Sequence, residues 1–390
     1  MRIAAGLTTL LMAWLPAVAL AQGPLSALDS EMESIAKAAR PSVVTVIAQS
    51  APAETAARNG HPEPSARPHT RVGSGVAVEE GEILTTASVV LDAEHVWIRT
   101  SNGLEVEARI AGLDPIFNIA LLSVSGIRLP ALRFSTNRPP REGEWVMAIG
   151  TSGYQAQITE SVGNIAYRYH EPRMSLLQLT NTVYPGFAGG AVLNARGELI
   201  GIVQGELGAS RVAELANERD RTTGVASFIL PVESVLPVYA SLKSEGRVRH
   251  GYMGVTTREA SVESETERGS RVPIGALVEG TQAGGPAARA GLVRGDLIVA
   301  FEGERVEYPE QLARWVAATP PGTAVDLVWV HDELQRDGKV VLSESPEATP
   351  HWALYPSTTE GAPTATRIDD LKRQIEKLNR EIERLKTEAH

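Results

Sequence analysis

Short runs dense in aliphatic and β-branched residues recur along most of the chain, each closed by a turn signal. Val43-Val44-Thr45-Val46-Ile47-Ala48 reads as a buried strand, preceded over residues 25–39 by a stretch compatible with a short helix that stops at Pro41. Further strand runs are Gly75-Val76-Ala77-Val78, Glu82-Ile83-Leu84-Thr85, His95-Val96-Trp97-Ile98-Arg99 and Ile119-Ala120-Leu121-Leu122-Ser123-Val124. Glu80-Gly81, Asn102-Gly103 and Asp114-Pro115 punctuate them, a spacing that predicts a β-barrel or sandwich. A second set follows at 145–149, 155–165, 176–179, 191–193 and 199–203, so two similar β-units stand in tandem. Between strands, residues 50–70 read as a mobile loop whose His61 and His69 are solvated, and residues 209–221 read as a polar, helix-compatible insertion.

The pattern changes after Phe228-Ile229-Leu230-Pro231. A helix is expected over residues 232–244, then a polar hinge over 245–250, and then strands and helices over 251–342, enough for a small α+β domain. A Pro/Thr/Ser/Ala linker covers 346–366. In the tail, 367–388, Ile368, Leu371, Ile375, Leu378, Ile382 and Leu385 alternate three and four apart, the a/d spacing of a parallel coiled coil. Glu381 at g and Lys386 at the following e are placed to pair across a dimer; the competing reading is one amphipathic helix on the protein's own surface.

Composition narrows the function classes. A net charge of −10 disfavours nucleic-acid partners, and the absence of cysteine removes disulfides, thiolate metal sites and a cysteine nucleophile. No metal or other cofactor is called for. At the N-terminus Arg2, an apolar stretch over 3–15, Pro16 and Ala19-Leu20-Ala21 read as a signal peptide (1–21) cleaved after Ala21, with a membrane anchor as the alternative. The mature chain is then periplasmic or secreted, with no transmembrane segment.

A search for acyl-transfer chemistry finds three stretches in order. Glu82-Ile83-Leu84-Thr85-Thr86-Ala87-Ser88-Val89-Val90 follows Gly73-Ser74-Gly75-Val76; then come Asp114-Pro115-Ile116-Phe117-Asn118-Ile119-Ala120-Leu121-Leu122 and Pro185-Gly186-Phe187-Ala188-Gly189-Gly190-Ala191-Val192-Leu193-Asn194. Together they resemble the HtrA family of trypsin-like serine proteases, whose motifs T-N-x-H-V-V, D-P-x-x-D-L-A-L-L and P-G-N-S-G-G-P-L-V-N carry histidine, aspartate and serine. Here those positions hold Ser88, Asn118 and Ala188. The reading is a degenerate member, a pseudoprotease that is not an enzyme, since Ala188 has no oxygen to attack a carbonyl and Asn118 no charge to steady an imidazolium. The alternative is an active HtrA-type serine endopeptidase, or a chaperone, in periplasmic protein quality control. His95, His170, Ser152 and Ser161 read as surface or loop residues rather than a relocated triad.

Two readings of the turn stay open: the amides of Gly186 and Ala188 form an oxyanion-type pocket, or the glycines persist only because the turn needs unusual dihedrals. Phe187 is expected to cap or fill the vacated cleft. Further on, Gly251-Tyr252-Met253-Gly254-Val255 resembles the carboxylate-binding loop of a PDZ domain, and Pro286-Ala287-Ala288-Arg289-Ala290-Gly291-Leu292-Val293-Arg294-Gly295-Asp296-Leu297-Ile298 is similar to that fold's S-P-A-A-x-A-G-L-x-x-G-D-x-I stretch. That implies strand addition of a peptide C-terminus, with Tyr252, Met253, Gly254, Val255 and Leu312 as binding residues. The expected fold is mainly β: a trypsin-like double β-barrel (22–244), an α+β PDZ domain (247–345) and a coiled-coil helix. The expected role is scaffold, adaptor or regulator binding peptides or protein C-termini, with self-association through the tail. Residues 23–50 lack Phe, Tyr and Trp, through which the family commonly trimerises.

Overall fold

The computed structural model describes residues 24–50, 69–153, 157–169, 172, 174–205, 227–263, 271–332 and 334–346. The signal peptide, the linker after residue 346, the coiled coil, His61, His170 and the 209–221 insertion lie outside the described residues.

Helix α1 (Pro24–Ala39) buries Met32, Ala36 and Ala39, four and three residues apart and so on one face. A short 3-10 turn (Arg40–Ser42) containing Pro41 ends it and feeds β1 (Val43–Ser50). The first barrel adds β2 (Thr70–Glu79), β3 (Glu82–Thr85), the single-turn α2 (Ala87–Val90), β4 (Ala93–Arg99), β5 (Glu105–Asp114) and β6 (Ile119–Ser123). It closes in the order β1-β2-β3-β6-β5-β4. Strand β1 pairs on both sides, Val46 opposite Gly73 and opposite Ile98, which is why its sequence is an unbroken apolar run.

Strand β5 went unpredicted. Its Val106, Ala108 and Ile110 alternate with Glu105, Glu107 and Arg109, because much of the strand faces water and no continuous apolar run forms.

The second barrel holds β7 (Trp145–Ser152), β8 (Gln157–Tyr169), β9 (Leu176–Leu179), β10 (Ala191–Asn194), β11 (Leu199–Gly205) and β12 (Ser227–Pro231), closed as β10-β11-β12-β9-β8-β7. The barrels meet through a buried hydroxyl pair, Thr45 to Thr151 at 2.8 Å. Helix α3 (Val232–Glu245) then packs back on β5, β6 and β11. Its Lys243 reaches Glu79 at 2.6 Å and Glu82 at 3.0 Å, and its Tyr239 hydroxyl also donates to Glu82. Gly246, with φ 70°, ends the helix in the left-handed conformation that releases the chain toward the next domain.

That domain is an α+β unit: β13 (Gly251–Tyr252), β14 (Val255–Glu263), β15 (Arg271–Thr281), α4 (Pro286–Arg289), β16 (Leu297–Phe301), β17 (Glu304–Arg305), α5 (Pro309–Ala318), β18 (Ala324–His331), β19 (Leu334–Val341) and β20 (Ser343–Glu344). The main sheet runs β14-β15-β16-β18-β19, with β17 beside β16 and β13 paired to β20. Trp315 of α5 lies 6.1 Å from Phe301, at the centre of a core with Leu312, Val316 and Ile298. Two closed barrels followed by a small α+β domain are the mainly-β architecture expected from the sequence. No helix among the described residues is long and apolar enough to cross a membrane.

Candidate functional site

The three motif positions converge where the barrels meet. Ser88 sits half-buried in α2, and its backbone N–H donates to Asn118 Oδ1 at 2.8 Å. Asn118 is 4% exposed, in a left-handed conformation (φ 52°), and its Nδ2 has no partner among the described residues. The turn that presents it is held by Asp114, whose Oδ2 accepts the Phe117 N–H at 2.8 Å. Gly73 of β2 draws α2 and the third motif together, since a Cβ there would meet Val89 Cγ2 at 2.5 Å and the Ala188 carbonyl oxygen at 3.0 Å.

Around Ala188 the backbone is fixed from inside. The Gly153 N–H donates to the Pro185 carbonyl at 2.7 Å, the Gly190 N–H to that of Phe187 at 2.7 Å, and the Ser74 N–H to that of Ala188 at 2.7 Å. In a planar trans peptide the N–H points opposite the carbonyl. The Gly186 and Ala188 amides therefore face away from these partners, and neither has an acceptor among the described residues. Gly186 (φ 101°) and Gly189 (φ 85°) occupy conformations that disfavour a side chain, so the dihedral reading accounts for the glycines while leaving the two amides directed outward.

Phe187 departs from expectation. Its ring is fully buried in the second barrel's core, against Gly150, where a Cβ would stand 2.9 Å from the ring. The missing side chain at Gly150 makes the room, so Phe187 roofs the barrel and does not fill the cleft. Sequence reading also passed over Ser74, whose hydroxyl ties the turn to both barrels: it donates to the Gly186 carbonyl at 2.6 Å and accepts the Thr151 N–H at 2.7 Å. His95 lies on the outer wall, stacked on Trp97 at 5.5 Å and 3.8 Å from Glu107. Ser152 ends β7, and Ser161, midway along β8, lends its carbonyl to Asn181 at 2.9 Å. Among the described residues no cluster of His, Asp and Glu fits a metal ion.

A second candidate site lies in the C-terminal domain. Met253, Val255, Leu312 and Val316 line a groove of about 250 Å³ between β14 and α5, with Ser345 and Pro346 also on its wall. Tyr252 and Gly254 (φ 76°) complete the loop at its end. The Met253 carbonyl accepts the Ala287 N–H and the Gly254 carbonyl the Gln282 N–H, both at 2.9 Å, which directs the amides of Gly254 and Val255 the other way. The Gln282–Gly254 bond flanks the Val255–Thr281 pair and makes it a non-hydrogen-bonded pair, so the Val255 N–H faces the open edge of β14. Consecutive outward amides beside a free strand edge suit a carboxylate and an added strand.

Comparison with known proteins agrees with both units. Residues 73–202 match the trypsin-like peptidase domain family and residues 277–330 the PDZ domain family. The chain is similar to a probable periplasmic serine endoprotease DegP-like of Ectopseudomonas mendocina, 30% identical over 301 residues, 76% of this chain and 61% of the relative. Its counterpart in Pseudomonas fulva is 31% identical over 300 residues, 76% and 60%. This chain thus spans about three fifths of these curated relatives. Among solved structures, a serine endoprotease from Yersinia pestis superposes with TM-score 0.55 at 26% identity over 80% of this chain and 97% of that one. The HtrA-type protease AlgW with a decapeptide gives 0.58 at 23% identity over 81% and 99%, a likeness of fold.

These findings correct one expectation. The reading that the chain is not an enzyme rested on three side chains, whereas the relatives that share its sequence are named serine endoproteases and its first domain matches a peptidase family. The side chains at positions 88, 118 and 188 are serine, asparagine and alanine. In sequence, architecture and domain order the chain is similar to the HtrA/DegP-like proteins, with a trypsin-like peptidase fold followed by a PDZ domain.

Proposed function

We propose that this protein works in periplasmic protein quality control as an HtrA-type serine endopeptidase or chaperone, taking hold of polypeptides by their C-termini through the groove between β14 and α5. The observation that carries the reading is the pairing of a peptidase-family double barrel with a groove whose outward amides and apolar walls suit a terminal carboxylate and an apolar last residue. Periplasmic placement rests on the relatives' names together with the signal-peptide pattern, cleaved after Ala21. Self-association through the 367–388 heptads would present grooves in pairs and raise avidity for clustered chain ends.

Ala188 supplies no oxygen, so hydrolysis would draw its nucleophile from another hydroxyl, and the outward amides of Gly186 and Ala188 are the group offered to a developing oxyanion. The test has two parts, both on the full mature chain. Titration with peptides ending in an apolar residue is expected to give micromolar binding, roughly −8 kcal/mol, lost when the terminus is amidated. Unfolded casein, a fluorophosphonate probe with peptide mapping, and an aggregation assay then read the barrels. A mapped serine with casein cleavage supports the endopeptidase, and suppressed aggregation without cleavage supports the chaperone. Neither effect, or equal binding of acid and amide peptides, overturns the proposal.

A further inference from the structure

His250 stands between the barrels and the C-terminal domain, 3% exposed, and both its ring nitrogens face acceptors. Nδ1 lies 2.9 Å from the Ala317 carbonyl oxygen of α5, and Nε2 lies 2.6 Å from Asp114 Oδ1 at the end of β5. A backbone carbonyl only accepts, so Nδ1 carries a hydrogen. Nε2 and Asp114 Oδ1 stand only 2.6 Å apart, where two lone pairs would repel, so a second proton lies between them. The group therefore contains one proton more than a neutral imidazole facing a carboxylate would need. Burial alone pushes the imidazolium down, but the hydrogen bond and charge of Asp114, with the Ala317 carbonyl, outweigh it and hold His250 above its ordinary value.

Each partner is joined to one of the two sites. Asp114 fixes the turn that presents Asn118, and Ala317 lies on the wall of the peptide groove. His250 directly precedes β13, and its own carbonyl accepts the Ser345 N–H at 2.9 Å. Ala317 and Ala318 pack into the same core as the barrels, so α5 touches the first domain here. Of the nearby charged groups, Arg249 pairs with Glu245 at 2.9 Å and Arg247 with Glu344 at 3.4 Å. On α5, Arg314 is buried and Glu310 exposed, and on β5 Arg109 is exposed.

We propose that His250 is a proton-held latch: doubly protonated, it clamps the groove helix α5 to the turn that carries Asn118, and loss of its proton frees the two domains from each other. Because the folded-state value is raised, the stabilisation is complete below the ordinary 6.5 and is lost as pH rises through the raised value. The latch works the same way whether the barrels cleave polypeptide or only hold it.

Hydrogen exchange on the full mature chain tests it, run from about pH 6 to about pH 9 and corrected for intrinsic rates, alongside NMR titration of the labelled His250 ring. Protection of residues 112–118 and 312–319 is expected to fall about ten-fold in step with the ring's titration. In His250→Gln protection is expected to be low throughout that range. Should the variant not fold, the wild-type ring and exchange curves decide alone. Protection that stays flat while the ring titrates, or a ring that titrates at or below 6.5, overturns the latch.

Discussion

Ser74 and Gly186, 112 positions apart, are joined by a 2.6 Å hydrogen bond from the serine hydroxyl to the glycine carbonyl, and this bond fastens the first barrel to the turn around Ala188. Because the same hydroxyl accepts the Thr151 N–H, Ser74→Ala strands a buried donor and an acceptor together. The expected loss is about 2–4 kcal/mol of unfolding free energy, read from a urea midpoint. A shift no larger than that of an exposed Ser→Ala control would show that the bond does not hold the turn.

Gly189 combines φ 85° with contact against the Ser74 carbonyl oxygen, and an added Cβ would also stand 2.6 Å from Thr85 Oγ1. Gly189→Ala is expected to cost about 2–4 kcal/mol. Gly103, with φ 87° but nothing within 4 Å, is the control, and Gly103→Ala is expected to cost about 1 kcal/mol. Equal midpoints for the two variants would refute the packing argument.

Glu198 closes the hairpin after β10, accepting from Arg196 at 2.7 Å, Asn194 at 2.9 Å and Ser135 at 3.2 Å, with Arg196 foremost in holding its carboxyl down to about 2. A depressed value stabilises the fold above the ordinary 4.5 and ceases to do so as pH falls toward 2. Glu198→Gln is therefore expected to be less stable than wild type by on the order of 1 kcal/mol near neutrality, with the gap closing in acid. Urea midpoints at both ends of that range check the sign.

The heptad tail makes its own prediction, since an isolated helix of about twenty residues is marginal in water. Deleting residues 367–390, or changing Ile375 and Leu378 to Asp, is expected to lower the particle mass seen by light scattering. A mass unchanged by the deletion would assign association to another part of the chain.

Much of this was legible because backbone geometry leaves residue signatures. Gly186 and Gly189 mark a turn that needs positive φ, and Gly295-Asp296 marks one where the buried Asp296 accepts the Val293 N–H at 2.9 Å. Strand β1 announced itself by lying between two neighbours. What escaped notice acts across long sequence separations: Ser74 with Gly186, and Asp114 with His250, 136 positions apart. Polar residues in such roles look ordinary locally, since their partners are set by how the domains meet. Phe187 was misplaced for a related reason, the space that receives its ring being made by Gly150 on another strand. Three side chains, Ser88, Asn118 and Ala188, say less about the class of this protein than a whole domain that matches a peptidase family.

The carbonyl of Ala188, and not its side chain, is what Ser74 grips. Residue 188 is thus anchored through its main chain, while its methyl group rests against the first barrel's core, so a side chain as small as serine's leaves the anchor itself untouched. Anchorage and side-chain chemistry are therefore carried by different atoms of this one residue.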